Sequence, residues 1–225
     1  MIEELLPGIW TVAVPVKLTG IDFGTRMTII RVAGDGLVLI SPCSIEESLA
    51  SEIDALGTVR AVIAPNAFHH LHFVDAIERY PDAGCFMAVG VAKKIRSTPA
   101  GAVTLGADVD PIWSAELEQC VVEGAPRVNE VVFYHRVSRT LVLTDLCFNF
   151  NPAPGGLKGI PLRLFGVHGR MAVSRGMRFL LKDREKVRVV IQRILEWDFE
   201  RIVVTHGAIV EKDGHALFRE ATAGL

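Results

Sequence analysis

The apolar residues of this chain fall in short runs, each cut within about ten residues by Gly, Pro or a charge, and the runs are grouped the same way twice. Each half opens with strands that can pair as a meander and continues with strand–helix units. Strands bury one or both faces and amphipathic helices bury one stripe, so the layered solution for such a pattern is two sheets face to face with helices outside. In the first half the strands are Ile9 to Val16, Met27 to Val32 and Gly36 to Ile40, the last two joined by an Asp35-Gly36 turn that suits a tight hairpin. Ser44 with Glu47 three residues on reads as a capping box that opens a helix, and Gly57 closes it. A strand from Val59 to Ala64, a helix from Phe73 to Arg79, a strand from Cys85 to Val89 and a helix start at Gly90 to Lys94 follow. The second half has strands at Glu118 to Glu123, Glu130 to His135 and Thr140 to Leu143, then a Pro- and Gly-rich loop from Asn151 to Gly169 holding one short helical piece. Asp183 to Trp197 has helical apolar spacing, and Arg201 to Thr205 is a final strand before a closing helix. A single domain over residues 1–225 is the expectation.

Composition narrows the function classes. Half of the 225 residues are hydrophobic, which is enough for a sizeable core. The 24 Lys and Arg nearly cancel the 26 Asp and Glu, so no net field attracts nucleic acid. No apolar run reaches the roughly 20 residues of a membrane span, and the acids of Met1-Ile2-Glu3-Glu4 stand where a signal peptide carries cations, so the expected location is the cytoplasm. The expected partner is a small molecule, with neither nucleic acid nor membrane, and a homo-oligomer stays open. The cysteines Cys43, Cys85, Cys120 and Cys147 are too dispersed for a zinc ribbon or a disulfide scaffold and read as buried or free thiols.

The chemistry concentrates at strand ends. Three of seven histidines lie within Asn66-Ala67-Phe68-His69-His70-Leu71-His72, just beyond the strand that ends at Ala64. Imidazole is the commonest protein ligand for zinc, and strand C-termini in layered folds are where side chains converge. Two other strands, Leu141 to Thr144 and Ile202 to Thr205, are each followed directly by a ligand type, Asp145 and His206. A mixed His/Asp set of this kind suits zinc, iron or manganese. The alternatives are a capping or packing role for the histidines and turn-forming roles for Asp145 and His206. Cys43, beyond another strand end, pairs with His69 or His72 as a lesser nucleophile candidate. Arg170 and Arg175 are candidate anion clamps, and Asn66, His72 and Arg175 are expected at the substrate.

In order and approximate spacing, Gly8-Ile9-Trp10, the hairpin Gly34 to Ile40, the strand into Phe68-His69-His70, Leu143-Thr144-Asp145 and Val204-Thr205-His206-Gly207 resemble the metallo-β-lactamase superfamily. A late run, Asp198 to Gly207, and the Pro65-Asn66 ahead of the His pair are similar to a branch of that superfamily of unknown function. The resemblance implies a four-layer αββα sandwich with a metal-centred hydrolytic site at one sheet edge. It also implies departures from the motif Thr-His-x-His-x-Asp-His. With His70 on the last His, His69 falls on the Asp, Ala67 on the second His and Pro65 on the first, and the third ligand of that site falls near Pro126. The second ion position then retains His69, His70, Asp145 and His206, with His69 as ligand or base and Asp145 as ligand. Counting back from Arg79-Tyr80-Pro81 instead puts His69 on the last His, Asn66 on the second His and Phe68 on the Asp, leaving His69, Asp145 and His206. Ser41 replaces the Asp that follows the Leu37 to Ile40 strand.

Two functions follow from the resemblance. One is a hydrolase with a single zinc, iron or manganese ion, acting on an ester, thioester, lactone or phosphodiester. The other is a metal-free pseudoenzyme that binds a small molecule or partner in the same cleft.

Overall fold

The two meanders of the sequence become the outer strands of two sheets, and the strand–helix units complete each sheet and cover it. The computed structural model describes residues 1–18 and 21–225. Its first half runs β1 (Glu3–Leu6), β2 (Ile9–Val14), the short pair β3 (Lys17–Leu18) and β4 (Ile21–Asp22), β5 (Thr25–Val32), β6 (Gly36–Ile40), α1 (Glu47–Leu56), β7 (Thr58–Ala64), α2 (Phe73–Arg79), β8 (Gly84–Met87) and β9 (Val103–Thr104). The second half runs β10 (Leu117–Val121), β11 (Val131–His135), β12 (Thr140–Leu143), β13 (Phe148–Asn149), α3 (Ile160–Phe165), β14 (Met171–Ala172), α4 (Arg175–Leu180), α5 (Arg184–Leu195), β15 (Arg201–Val204) and α6 (Gly214–Thr222).

The first sheet has the order β1-β2-β5-β6-β7-β8-β9 and the second β10-β11-β12-β15. Hairpins make most of the antiparallel pairs, whereas β6–β7, β7–β8, β8–β9 and β12–β15 are parallel and need crossovers, most of which carry helices. The central strands are buried on both faces, and their residues alternate between two cores. Val131, Phe133, Val142 and Val203 face the first sheet, while Val132, Tyr134, Leu141, Leu143, Ile202 and Val204 face α5 and α6. Trp113 spans the sheet interface, edge-on to Phe86 and to Phe133. The result is the αββα sandwich implied by the resemblance. No helix among the described residues is long and apolar enough to cross a membrane.

Two local expectations are corrected, and one helix is added. Helix α1 starts at Glu47 with Glu46 as its N-cap and no side-chain cap, so Ser44 and Glu47 do not form the capping box. The buried stripe of Leu49, Ala50 and Ile53 begins only there, so burial rather than the cap sets the start. After β8 the expected helix is a single 3-10 turn, Val91–Lys93. The stretch after the Asn151 to Gly169 loop holds a second short helix, α4, capped by Ser174, whose hydroxyl accepts from the Met177 N–H.

Candidate metal centre

Asp145 and His206 are brought together by register. Strands β12 and β15 are parallel neighbours with Leu143 opposite Val204, so both residues lie two positions past the last pair. The turn after β12 is held by Glu130, which is fully buried: its Oε1 accepts from the Thr144 N–H and its Oε2 from the Asp145 and Leu146 N–H groups, each at 2.8 Å. The turn after β15 is held by Arg26 of β5, which donates to the Val204 and Gly207 carbonyls. Gly207 has φ +101°, and a Cβ there would stand 2.0 Å from the Asn149 carbonyl oxygen, so the chain can leave His206 this way only with glycine.

His69 arrives from the other sheet. Beyond β7, Asn66 is buried and its Oδ1 accepts from the Phe68 N–H (2.7 Å) and the His69 N–H (3.0 Å). This side-chain-to-backbone turn winds the chain so that His69 faces the second sheet. The Asn66 amide then donates across the interface to Thr144 Oγ1 at 2.8 Å and Asp145 Oδ2 at 2.7 Å.

Three ligand atoms converge. His69 Nε2 lies 3.3 Å from Asp145 Oδ2 and His206 Nε2 lies 3.4 Å from Asp145 Oδ1. One ligand atom from each of the three residues can be chosen within 4.8 Å of the others. A tetrahedral ion with bonds of about 2.0–2.2 Å holds its ligand atoms about 3.4 Å apart, and the two imidazole contacts, one to each oxygen of Asp145, have about that length. Each imidazole is also held from behind. His206 Nδ1–H donates to the Gly24 carbonyl at 2.7 Å, which fixes the tautomer and leaves Nε2 for the site. His69 Nδ1 is bonded to Ser41 Oγ at 2.7 Å. Phe148 stacks on the His206 ring at 5.1 Å. This is the outer-shell support that ligating histidines carry in metal sites.

The charges follow the geometry. Burial pushes the Asp145 carboxyl up, but His69 and His206 outweigh it and hold Asp145 well below the usual carboxylate range. Burial works against a charge on His206, yet its hydrogen bond and attraction to Asp145 raise it above the ordinary imidazole value. Glu130, desolvated and beside the Asp145 charge, is pushed up to about 7 despite its three N–H partners.

The triad lies deep in a cleft of about 570 Å³ whose lining also includes Ser41, Phe68, Leu71, His72, Phe148, Phe165 and Leu180. His72 is thus a lining residue of the cleft. His70 is not in the ligand group: its Nδ1 is buried without a hydrogen-bond partner, and burial together with Lys94 lowers its pKa. The winding of the Asn66 turn brings His69, and not His70, to Asp145. Asn66 does not reach the cleft, because both ends of its amide are used inside the fold. Arg175 is not a lining residue either, since its guanidinium donates to the Leu164 carbonyl at 3.2 Å. Cys43 is buried, and burial raises its thiol pKa, which removes the nucleophile alternative. Glu130, Arg26 and Phe148 had no signal as site residues in the sequence, since an acid at a strand start or a Phe in an apolar run reads as ordinary.

Fold and site together define a protein of the metallo-β-lactamase fold with a three-residue His/Asp/His set. The structure is similar to a metallo-β-lactamase from Pontibacter korlensis, with TM-score 0.69 and 14% identity over 99% of this chain and 97% of that one. It is similar to the metallo-β-lactamase FIM-1 from Pseudomonas aeruginosa in its mono-zinc form, with TM-score 0.63 and 12% identity over 100% and 95%. The flavodiiron protein from Giardia intestinalis matches with TM-score 0.64 and 14% identity over 99% of this chain and 58% of its own. No curated protein sequence matches this chain. The chain belongs to the family described as domain of unknown function DUF4336, whose model matches residues 7–165.

Proposed function

We propose that the protein is a metal-dependent hydrolase with one ion held by His69, Asp145 and His206, acting on a small ester, thioester, lactone or phosphodiester. The observation that carries this reading is the convergence of three ligand atoms whose imidazoles are both anchored through Nδ1. A zinc, iron or manganese ion held there supplies Lewis-acid chemistry, acidifying water and polarising a carbonyl or phosphoryl oxygen. The chain's own residues do the rest. Asp145 stays ionised at neutral pH and supplies the negative charge of the set. The Gly24 carbonyl keeps the proton of neutral His206 on Nδ1, so its Nε2 lone pair points inward. Ser41 and Asn66 fix His69 and the backbone that carries it, so the donor set is assembled before any ligand enters. Three protein ligands leave a position open for water or substrate, as in catalytic sites. FIM-1, of the same fold, was solved in a mono-zinc form, which supports a one-ion reading.

A specific observation favours a second reading. The Asn66 amide sits 2.7 Å from Asp145 Oδ2, and Asn66 and Phe68 occupy positions where the resemblance calls for ligands. That arrangement also serves a metal-free cleft that only binds its ligand. Metal content of chelator-free protein, measured by plasma mass spectrometry beside an Asp145→Ala/His206→Ala variant, separates the two. About one equivalent in the parent and none in the variant is expected. A parent that takes up no metal from excess zinc, iron or manganese overturns the hydrolase.

A further inference from the structure

We infer that the cleft over the triad is a binding site for an aliphatic chain, and that the substrate is an acyl ester, thioester or lactone carrying a chain of about six or more carbons. The assignment of the substrate's reacting end rests on the hydrolase reading; the chain site rests on the cleft itself. At about 570 Å³ the cleft has the size of a small-molecule pocket. One wall presents Phe68 and Leu71, the other Phe148, Phe165 and Leu180. Leu71 is 75% exposed, Phe68 43% and Phe165 37%, so three large apolar side chains stand in water around one opening. Clustered exposure of this kind marks a surface that something apolar covers.

The far wall is built rather than incidental. Phe23 meets Phe165 edge-on at 5.4 Å and Phe150 at 6.0 Å, and Phe23, Leu162, Val167 and Ala172 form a small core of their own beneath it. Among the described residues the lining contains no Lys or Arg. A phosphodiester or a carboxylate-bearing substrate needs a cation or paired donors to replace its hydration. Among the described lining residues the only titratable side chains are those of the triad and His72, which leaves the rest of the cleft to methylenes. The reaction balances as hydrolysis: water adds its oxygen to the acyl carbon, the acyl–oxygen or acyl–sulfur bond breaks, and the leaving group takes a proton.

Transfer of a methylene from water is worth about 0.8 kcal/mol, which is about fourfold in affinity. The test is calorimetric titration of metal-stripped, full-length protein with uncharged n-alkanols from butanol to decanol. Affinity is expected to rise about fourfold per methylene until the chain fills the cleft. Leu71→Asp and Phe165→Asp, both at exposed positions, each lower decanol affinity at least tenfold with an unchanged circular dichroism spectrum. Val137→Asp, 84% exposed in the turn at the opposite end of β12, leaves it unchanged. Affinity flat with chain length, or equal in the parent and both cleft variants, overturns the chain site. Because these titrations need no ion, they test the chain site alone: a chain-length series that holds in a protein unable to take up zinc, iron or manganese leaves this site standing while the hydrolase reading falls. Metal-loaded protein that cleaves p-nitrophenyl acetate and octanoate with equal kcat/KM refutes the acyl-chain substrate and leaves the hydrolase standing.

Discussion

Asn66→Ala is the most informative single substitution. Asn66 is completely buried and makes four hydrogen bonds: two donated, to Thr144 Oγ1 and Asp145 Oδ2, and two accepted, from the Phe68 and His69 N–H groups. A neutral buried hydrogen bond contributes about 1 kcal/mol and one to a charged group about 1.5–3 kcal/mol, so the four sum to about 5 kcal/mol. Water can reach Asp145 and the His69 backbone from the cleft and recover part of this, which leaves a loss of about 3–5 kcal/mol. In a chain of this length that corresponds to a fall in Tm of about 6–20 °C. Urea unfolding at pH 7 with an unchanged m-value is the assay. Asn66→Asp sharpens it. The new carboxylate keeps the acceptor for Phe68 and His69 but sets an oxygen where the amide now lies 2.7 Å from Asp145 Oδ2. Two carboxylates at that distance repel, so Asp is worse than Ala at pH 7 and regains stability as pH falls through the raised pKa of the pair, where one of them takes a proton. A loss under about 1 kcal/mol for Asn66→Ala, or an Asp variant as stable as the parent at pH 7, refutes the assignment of Asn66 as the tie between the two sheets.

Two further outcomes are expected. Glu130 has a folded pKa of about 7 against an unfolded value of about 4.3, so its contribution is present below pH 4.3 and lost as pH rises through 7, a total of about 4 kcal/mol. The stability of the parent minus that of Glu130→Gln therefore falls by about 3 kcal/mol between pH 5 and 8, and parallel urea curves at the two pH values would count against it. His69→Ala weakens zinc binding at least 100-fold by competition with a chromophoric chelator, whereas His70→Ala leaves it within about threefold, because only His69 faces Asp145.

Much of this site is legible in the sequence because strand ends are. Ala64, Leu143 and Val204 close apolar runs, and a His or Asp follows each within five residues. The one-residue choice between His69 and His70 is not legible, since it depends on which backbone N–H groups the Asn66 carbonyl captures, and both windings use the same residues. Glu130 escapes for a different reason: an acid before an apolar strand reads as a solvated boundary, and only the tertiary turn of residues 144–146 makes it a buried acceptor. The misplacement of Arg175 has the same origin. A cation near a loop has reach in many directions, and here the Leu164 carbonyl takes it.

The parallel register of β12 and β15 has a consequence for how such a protein can change over evolutionary time. The separation of Asp145 from His206 is inherited from the spacing of neighbouring strands, about 4.8 Å, and is maintained by the strand ladder together with Glu130 and Arg26, none of which faces the opening. The residues around the opening, by contrast, come from the turn after β7 and from the short elements between β13 and α4. Selection can therefore redraw the outline of the opening one residue at a time while Asp145 and His206 stay in place, and the two traits drift independently.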